Sequence, residues 1–395
     1  MPRTISGLKT DLGAILHGTN LDHVTASTDL FNRAARDILL DIDPPETKRR
    51  SQVTLYEDVY DYAVPNDLKA NKILDIRPQT DRQIKENWTQ VYSEEFDLYK
   101  TDWTFQVAYN AGVKTLRAAI DTGNSITLHN METIAGNGTW AVADDGTNLT
   151  RDTLTFAEGG ASLNFDSDGL GVTATITNST FTDVDLTDHD ERSSIFMWVF
   201  LPDASAITNV ISRWGNDAAN YWTRTITAPH TFTAFQDGWN LLRFDWNGAT
   251  EVGTVAPAAI DYLLVTITYD GNAETDYRVD NIVSRLGDIH NVVYYSRFMF
   301  QNAAGTFIEE TTADTDLCNL EQGAVNLLLY RTAELAAQQI QAEDAGFDVS
   351  YFSTQYQRYL TEYKHQFKSE VEKPRASYYR MPNISGRRSA SNQIG

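Results

Sequence analysis

The stretch SSIFMWVFLP, residues 193–202, is an almost unbroken apolar and aromatic run closed by a proline. Its length and its boundaries are those of a strand. Three more runs follow the same plan: ITNVISRWG (207–215), WNLLRFDWNG (239–248) and IDYLLVTITYDGN (260–272). Each is bounded by Gly, Asn, Asp or Pro. Several short strands at this spacing predict an all-β sandwich or jelly roll. In WNLLRF, strict alternation sets Trp239, Leu241 and Arg243 on one face and Leu242 with Phe244 on the other. The run DYRVDNI (276–282) supplies a closing strand where the chain leaves this segment.

Charge draws the borders of the segment. The 395 residues carry a formal charge of −22. Residues 121–283 hold 6 Arg against 23 Asp and Glu, a net of −17. No lysine stands between Lys114 and Lys364. The flanks mix both signs of charge and show helical periodicity. One domain therefore interrupts another. The expected class is α+β: a helical bundle with a β-extension, interrupted by an inserted all-β sandwich or jelly roll, with an extended C-terminal arm. The expected borders are 1–120 and 288–372 for the two parts of a base domain, 121–287 for the insert and 373–395 for the arm.

In the first flank, a short helix is expected over residues 4–18. A firmer one follows, with Ser27 or Thr28 as its cap and Leu30, Phe31, Ala34, Ala35, Ile38 and Leu39 as one stripe. The prolines of DIDPP end it. Strands follow at 52–65 and 72–78, and WTFQVAY pairs with VKTLRAA across Asn110-Ala111-Gly112. In the second flank, VVYYSRFMF and TFIEETT form a hairpin across Asn302-Ala303-Ala304-Gly305. Two helices come next, the second over about residues 350–370, with a short joint at 346–348 making them antiparallel.

Acidity over most of the chain excludes a nucleic-acid or anionic-membrane surface, which needs clustered Lys and Arg. The single cysteine, Cys318, forms no internal disulfide and reads as a small buried residue. The start of the chain has no apolar core for a secretory signal, and no run approaches the roughly 20 residues of a membrane span. A soluble protein made inside a cell is expected. Nucleophile, Walker and H-E-x-x-H motifs are absent, so no enzyme and no cofactor is expected. FDSDG (165–169) resembles the start of a calcium loop but lacks its later ligands. No metal is expected; Asp166 and Asp168 are the residues that would hold calcium. A solvated acidic edge is the favoured reading of them.

Exposed aromatic faces are what sugars stack on. Most tryptophans here read as core, but Trp214 and Trp222, beside Gly215 and Asn220, read as loop-borne. With Tyr221 they are the glycan-binding candidates. The tail from Lys373 has five cations and no acid. Arg375, Arg380, Arg387 and Arg388 suit carboxylates, while Tyr378, Tyr379 and Met381 supply apolar anchors. Such an arm reads as a docking strap on another subunit.

The capped helix STDLFNRAARDILLDIDP, the segment VYDYAVPNDLKANKILDIRP, the C-terminal helical pair and the basic tail together resemble the head-to-tail adaptor (connector) proteins of tailed bacteriophages. The resemblance covers about half of the chain. It implies a structural virion protein, assembled in the host cytoplasm, whose homo-oligomeric ring, typically twelve-fold, joins portal to tail or neck proteins. Genomic DNA passes through such a ring without specific binding, and the arm docks on the portal. The middle segment is similar to galactose-binding-like, carbohydrate-binding-module sandwiches through AITNVISRWGNDAANYW, FQDGWNLLRFDW and YRVDNI. That likeness implies the alternative, a carbohydrate-binding or receptor-recognising virion component that takes a host glycan.

Overall fold

A computed structural model describes residues 2–16, 27–79, 88–91, 96, 103–110, 113–120, 123–189, 191–343 and 348–371. The chain divides into two compact units, Met1–Arg49 with Tyr295–Gly395, and Arg50–Tyr294.

Helices do not form the body of the protein. Four α-helices stand among the described residues, against strands gathered in five sheets. The expected helical bundle with a β-extension is overturned, and the chain is mainly β. The physical reason lies in residues 50–118. Their apolar side chains, among them Tyr56, Tyr62, Phe105 and Leu116, share one core with Phe196 and the half-buried Leu241 of the sandwich. Those strands therefore belong with the sandwich in the larger unit.

In the smaller unit, α1 (Ile5–Ile15) starts where the Thr4 hydroxyl accepts the Gly7 N–H at 3.1 Å. It buries Ile5, Leu8 and Leu12. Helix α2 (Ser27–Asp41) buries the stripe Leu30, Phe31, Ala34, Ala35, Ile38 and Leu39 that its periodicity predicts. Helices α3 (Gln322–Glu343) and α4 (Ser350–Val371) pack on each other, and α2 packs on α3. The proposed joint between α3 and α4 lies largely outside the described residues. A small four-stranded sheet, in the order Arg3–Thr4, Leu317–Cys318, Phe300–Gln301, Phe307–Ile308, closes this core. It includes the hairpin expected at Asn302 to Gly305, where the Gly305 N–H reaches the Asn302 carbonyl at 2.9 Å. Cys318 is fully buried, and burial pushes its thiol up to about 12.

The larger unit opens with two small sheets. One orders Lys48–Leu55, Asp288–Ser296 and Leu68–Pro78; the other Asp61–Ala63, Val113–Ala118, Thr104–Asn110 and Thr89–Gln90. The Thr104–Asn110 and Val113–Ala118 strands pair antiparallel, and residues 111 and 112 of their predicted turn lie outside the described residues. The Tyr62 hydroxyl accepts the Tyr56 N–H at 2.7 Å and donates to the Val59 carbonyl at 2.7 Å, pinning the turn between the Lys48–Leu55 and Asp61–Ala63 strands.

The rest of the unit is a two-sheet sandwich. Its strands in chain order are β1 (Ser125–His129), β2 (Trp140–Asp144), β3 (Gly146–Asp152), β4 (Ser162–Ser167), β5 (Thr173–Asn178) and β6 (Ser193–Leu201). They continue with β7 (Ile207–Asp217), β8 (Asn220–Ile226), β9 (Gly238–Asp245), β10 (Thr250–Val252), β11 (Tyr262–Tyr269) and β12 (Tyr277–Leu286). The first sheet runs β3-β4-β12-β6-β9, with β1 also on β12; the second runs β10-β8-β7-β11-β5-β2. Every pairing in them is antiparallel. Period-two alternation gives each sheet an inner apolar face. Ile195, Met197, Val199 and Leu201 of β6 and Leu242 and Phe244 of β9 meet Val210, Trp214, Leu263, Val265 and Ile267 in one core.

One buried polar contact is decisive for the smaller unit. Asn32 of α2 donates to the Thr311 carbonyl at 3.0 Å and accepts the Thr311 N–H at 2.8 Å. Asn32→Ala strands both backbone groups away from water. It is expected to cost about 2–4 kcal/mol, read as a lowered urea midpoint with an unchanged slope.

Candidate functional site

The three aromatic residues chosen from the sequence do not share a surface. Both Trp214 and Trp222 lie in paired strands and are register partners. Their side chains point inward. Trp214 is fully buried, and Trp222 is half-buried against the same core. Trp246, which follows β9 in the opposite sheet, stacks on Trp222 at 5.0 Å and on Trp214 at 6.1 Å. This triple stack bridges the sheets. The reading of Trp214 as an exposed, loop-borne residue is corrected: the loop signals Gly215 and Asn220 belong to a tight β7–β8 hairpin, and both tryptophans fall on its inner phase.

Tyr221 falls on the outer phase. Gly215 is the register partner of both Tyr221 and Tyr262, so no side chain separates the two rings. Their centroids are 6.2 Å apart at 43°. Glycine is required there, because a Cβ would come within 2.3 Å of the Asn220 carbonyl oxygen. One register step along β7, the Arg213 guanidinium covers the Tyr221 ring at 4.7 Å. Thr223 and Leu264 flank Arg213 on the neighbouring strands, and Thr177 lies beyond Leu264 on β5. The outer face of the second sheet thus carries the half-buried Tyr221 ring with Arg213 against it and threonines around it, while Tyr262 beside it is only 5% exposed.

Arg213 stands apart from the other arginines of the sandwich. Arg151 meets Glu132, Arg243 meets Asp245, Arg278 meets Asp152 and Asp276, and Arg224 donates to the Gly248 carbonyl. Arg213 makes no hydrogen bond and no ion pair among the described residues, and its Nε is shut off from solvent. A donor in that state is uncommon in folded proteins, where nearly all buried polar groups find partners. Asp261 lies next to Tyr262 in the chain, and its backbone N–H donates to the Gly215 carbonyl at 3.0 Å. Its Oδ1 is also buried and without a hydrogen-bond partner. Burial raises its carboxyl above the ordinary range, and the nearby Asp183 and Asp217 add to the rise. Arg213 and Asp261 thus each carry a buried polar atom without a hydrogen-bond partner.

The calcium candidates are spent on turns and strand pairing. Asp166 accepts from the Asn148 side chain at 2.9 Å and from the Asp276 N–H at 3.0 Å; Asp168 accepts the Leu170 N–H at 2.9 Å. No group of three metal-binding side chains occurs among the described residues. The arm residues Arg375, Tyr378, Tyr379, Arg380, Met381, Arg387 and Arg388 lie outside the described residues. No described helix is long and apolar enough to cross a membrane.

No family model matches the chain, and no curated protein matches it. Among solved structures, the chain is similar to a family 11 carbohydrate-binding module from Clostridium thermocellum in complex with a β-1,3-1,4-mixed-linked tetrasaccharide. The identity is 13%, over 41% of this chain and 95% of that one, with a TM-score of 0.30. A family 30 carbohydrate-binding module of a Clostridium thermocellum cellulosomal cellulase is 11% identical over 37% of this chain and 90% of that one, with a TM-score of 0.27. The enzymatically active domain of a bacteriophage CBA120 tailspike is 14% identical over 42% of this chain and 22% of that one, with a TM-score of 0.26. Scores this low assign neither a fold nor a function, and they lend the adaptor resemblance no support.

The inward and outward tryptophan and tyrosine separate in stability. Trp214→Ala opens a cavity in the core and is expected to cost about 3–5 kcal/mol, whereas Tyr221→Ala costs about 1 kcal/mol or less; thermal unfolding of the two variants checks this. A second expectation follows from Asp261. A carboxyl whose folded pKa is raised holds extra protons in the native state, so stability falls as pH rises above its unfolded value of about 4. Asp261→Asn is expected to flatten that fall in a series of unfolding curves from pH 4 to pH 8.

Proposed function

We propose that the sandwich is a carbohydrate-binding module and that the outer face of its second sheet is the glycan platform. The observation that carries the reading is Arg213, an unpaired guanidinium lying on Tyr221 within a segment where acids outnumber arginines 23 to 6. Coulomb attraction alone would give that arginine a carboxylate partner. Holding it free on an aromatic ring instead leaves its fork of donors for a ligand. A sugar offers what this face lacks. Its ring C–H groups lie flat on an aromatic face, and its hydroxyls accept from a guanidinium. Thr177 and Thr223 add hydroxyls of their own on the same face. The shelf is laid on paired strands, so its geometry is set before the ligand arrives and little ordering entropy is lost on binding.

The reading places recognition in the sheet. Tyr221 keeps the role that the sequence suggests, Trp214 and Trp222 lose it to the core, and Arg213 takes it up. A host glycan is the ligand source that this reading favours for a virion component.

A polysaccharide and oligosaccharide microarray probed with the whole chain is the direct test. At least one glycan class is expected to bind, and Arg213→Ala and Tyr221→Ala are each expected to weaken it tenfold or more while thermal unfolding shows both variants folded. Binding that survives both substitutions, or no binding to any glycan, overturns the proposal.

A further inference from the structure

The first sheet also has an outer face, and only part of it is covered. At the Ser193 end, Phe196 and Leu241 pack into the core formed with residues 50–118. Toward the other end, Trp198, Phe200 and Trp239 are half-buried. Register sets Trp239, Phe200, Arg278 and Asn164 in one row across β9, β6, β12 and β4. Phe200 and Trp239 meet edge to face at 5.5 Å, and Arg278 lies over Phe200 at 4.8 Å. Neighbouring strands are about 4.8 Å apart, so the Trp239–Phe200–Arg278 part of the row spans about 10 Å.

The polar character of this face is opposite to that of the Arg213 shelf. Arg278 is fully engaged: its Nε donates to Asp152 at 2.9 Å, and its terminal nitrogens donate to the Asp276 carbonyl at 3.1 Å and side chain at 3.4 Å. Beside the row, Glu158 is held in place by two neutral donors. The Trp198 Nε1–H reaches its Oε1 at 2.9 Å, and the Asn281 side-chain amide reaches its Oε2. Asn281 has a φ of 41° at a bulge in the β6–β12 pairing, which aims that amide at Glu158. No cation pairs with Glu158 among the described residues. Under the same loop, Asp280 is fully buried. One of its oxygens accepts the Ala157 and Glu158 N–H groups at 2.8 and 2.9 Å, and the other has no hydrogen-bond partner. Glu158 is thus a carboxylate without a cation partner beside the aromatic row, while the free oxygen of Asp280 is closed off beneath it.

We infer that the outer face of the first sheet is a second glycan site, selective for sugars that carry a protonated amine, with Trp239 and Phe200 as the stacking row and Glu158 as the ammonium acceptor. A carboxylate or sulfate sugar finds no unpaired cation in this row and meets the Glu158 carboxylate. An amino sugar supplies both the N–H donors and the positive charge that Glu158 lacks. A flexible lysine side chain offers the same ammonium but gives the aromatic row nothing flat to hold. This site is independent of the Arg213 shelf, since the two occupy opposite sheets of one sandwich.

Isothermal titration of the whole chain with glucosamine hexamer tests the inference, with N-acetylglucosamine hexamer, hexagalacturonate and hexalysine as comparisons. The expected result is that the glucosamine hexamer binds at least tenfold tighter than each of the three. Glu158→Gln and Trp239→Ala are each expected to weaken it tenfold or more while thermal unfolding shows both variants folded, and Tyr221→Ala leaves it unchanged. Equal binding of hexalysine overturns the inference in favour of charge alone. So does an absence of glucosamine binding, or binding that Glu158→Gln and Trp239→Ala both leave intact. Loss in Tyr221→Ala only would assign the sugar to the other sheet and equally overturn it.

Discussion

The larger unit depends on one constraint: the inner faces of two six-stranded sheets must bury each other completely. Each core side chain on β6, β7, β9, β11 and β12 is worth about 1.5–3 kcal/mol removed from water, and strict alternation lets one strand place such a residue at every second position. The stacked Trp222, Trp246 and Trp214 join the two sheets at their β7–β8 and β9 margins. Once that phase is set, the chemistry of the outer faces follows without further choice. Tyr221 and Arg213 face out because Trp222 and Trp214 face in.

The same constraint explains why the two outer faces differ. A sandwich is covered by its own strands on the inside only, so the outside answers to charge and to neighbouring chain. Residues 50–118 take up one end of the first sheet through Phe196 and Leu241 and leave Trp198, Phe200 and Trp239 uncovered. On the second sheet, Arg224 is matched to the Gly248 carbonyl, while Arg213 is matched to a tyrosine ring. In a segment of net charge −17, an arginine without a carboxylate is an exception to what electrostatics would arrange, whereas Glu158 is set apart by the two neutral donors that hold it.

Much of the sandwich was legible in the sequence. The runs at 193–202, 207–215, 239–248 and 260–272 are strands because each is short, apolar at alternate positions and closed by turn residues. The alternation of Trp239, Leu241 and Arg243 against Leu242 and Phe244 appears unchanged in the burial of β9. The helical stripe from Leu30 to Leu39 is equally direct. What local pattern cannot reveal is the partner of a strand. Residues 50–118 read as an extension of a helical body, yet their tyrosines and phenylalanine pack on the sandwich, because long-range burial and not sequence proximity decides ownership. Trp214 and Trp222 misled for a smaller reason: glycine and asparagine mark a hairpin as readily as a loop, and a two-residue turn keeps its neighbours inside the sheets. Applying to ISRWGN the alternation used for WNLLRF would have set Trp214 inward and Arg213 outward.

The central claim is that recognition belongs to the outer face of paired strands and not to the tryptophans between the sheets. The most direct measurement is a crystal structure of the chain bound to the tightest glycan it takes. The account predicts a sugar ring lying over Tyr221 with its hydroxyls on the Arg213 guanidinium, and unmoved side chains at Trp214 and Trp246. A sugar seated on Trp222 at an opened sandwich edge, with Arg213 untouched, would contradict it.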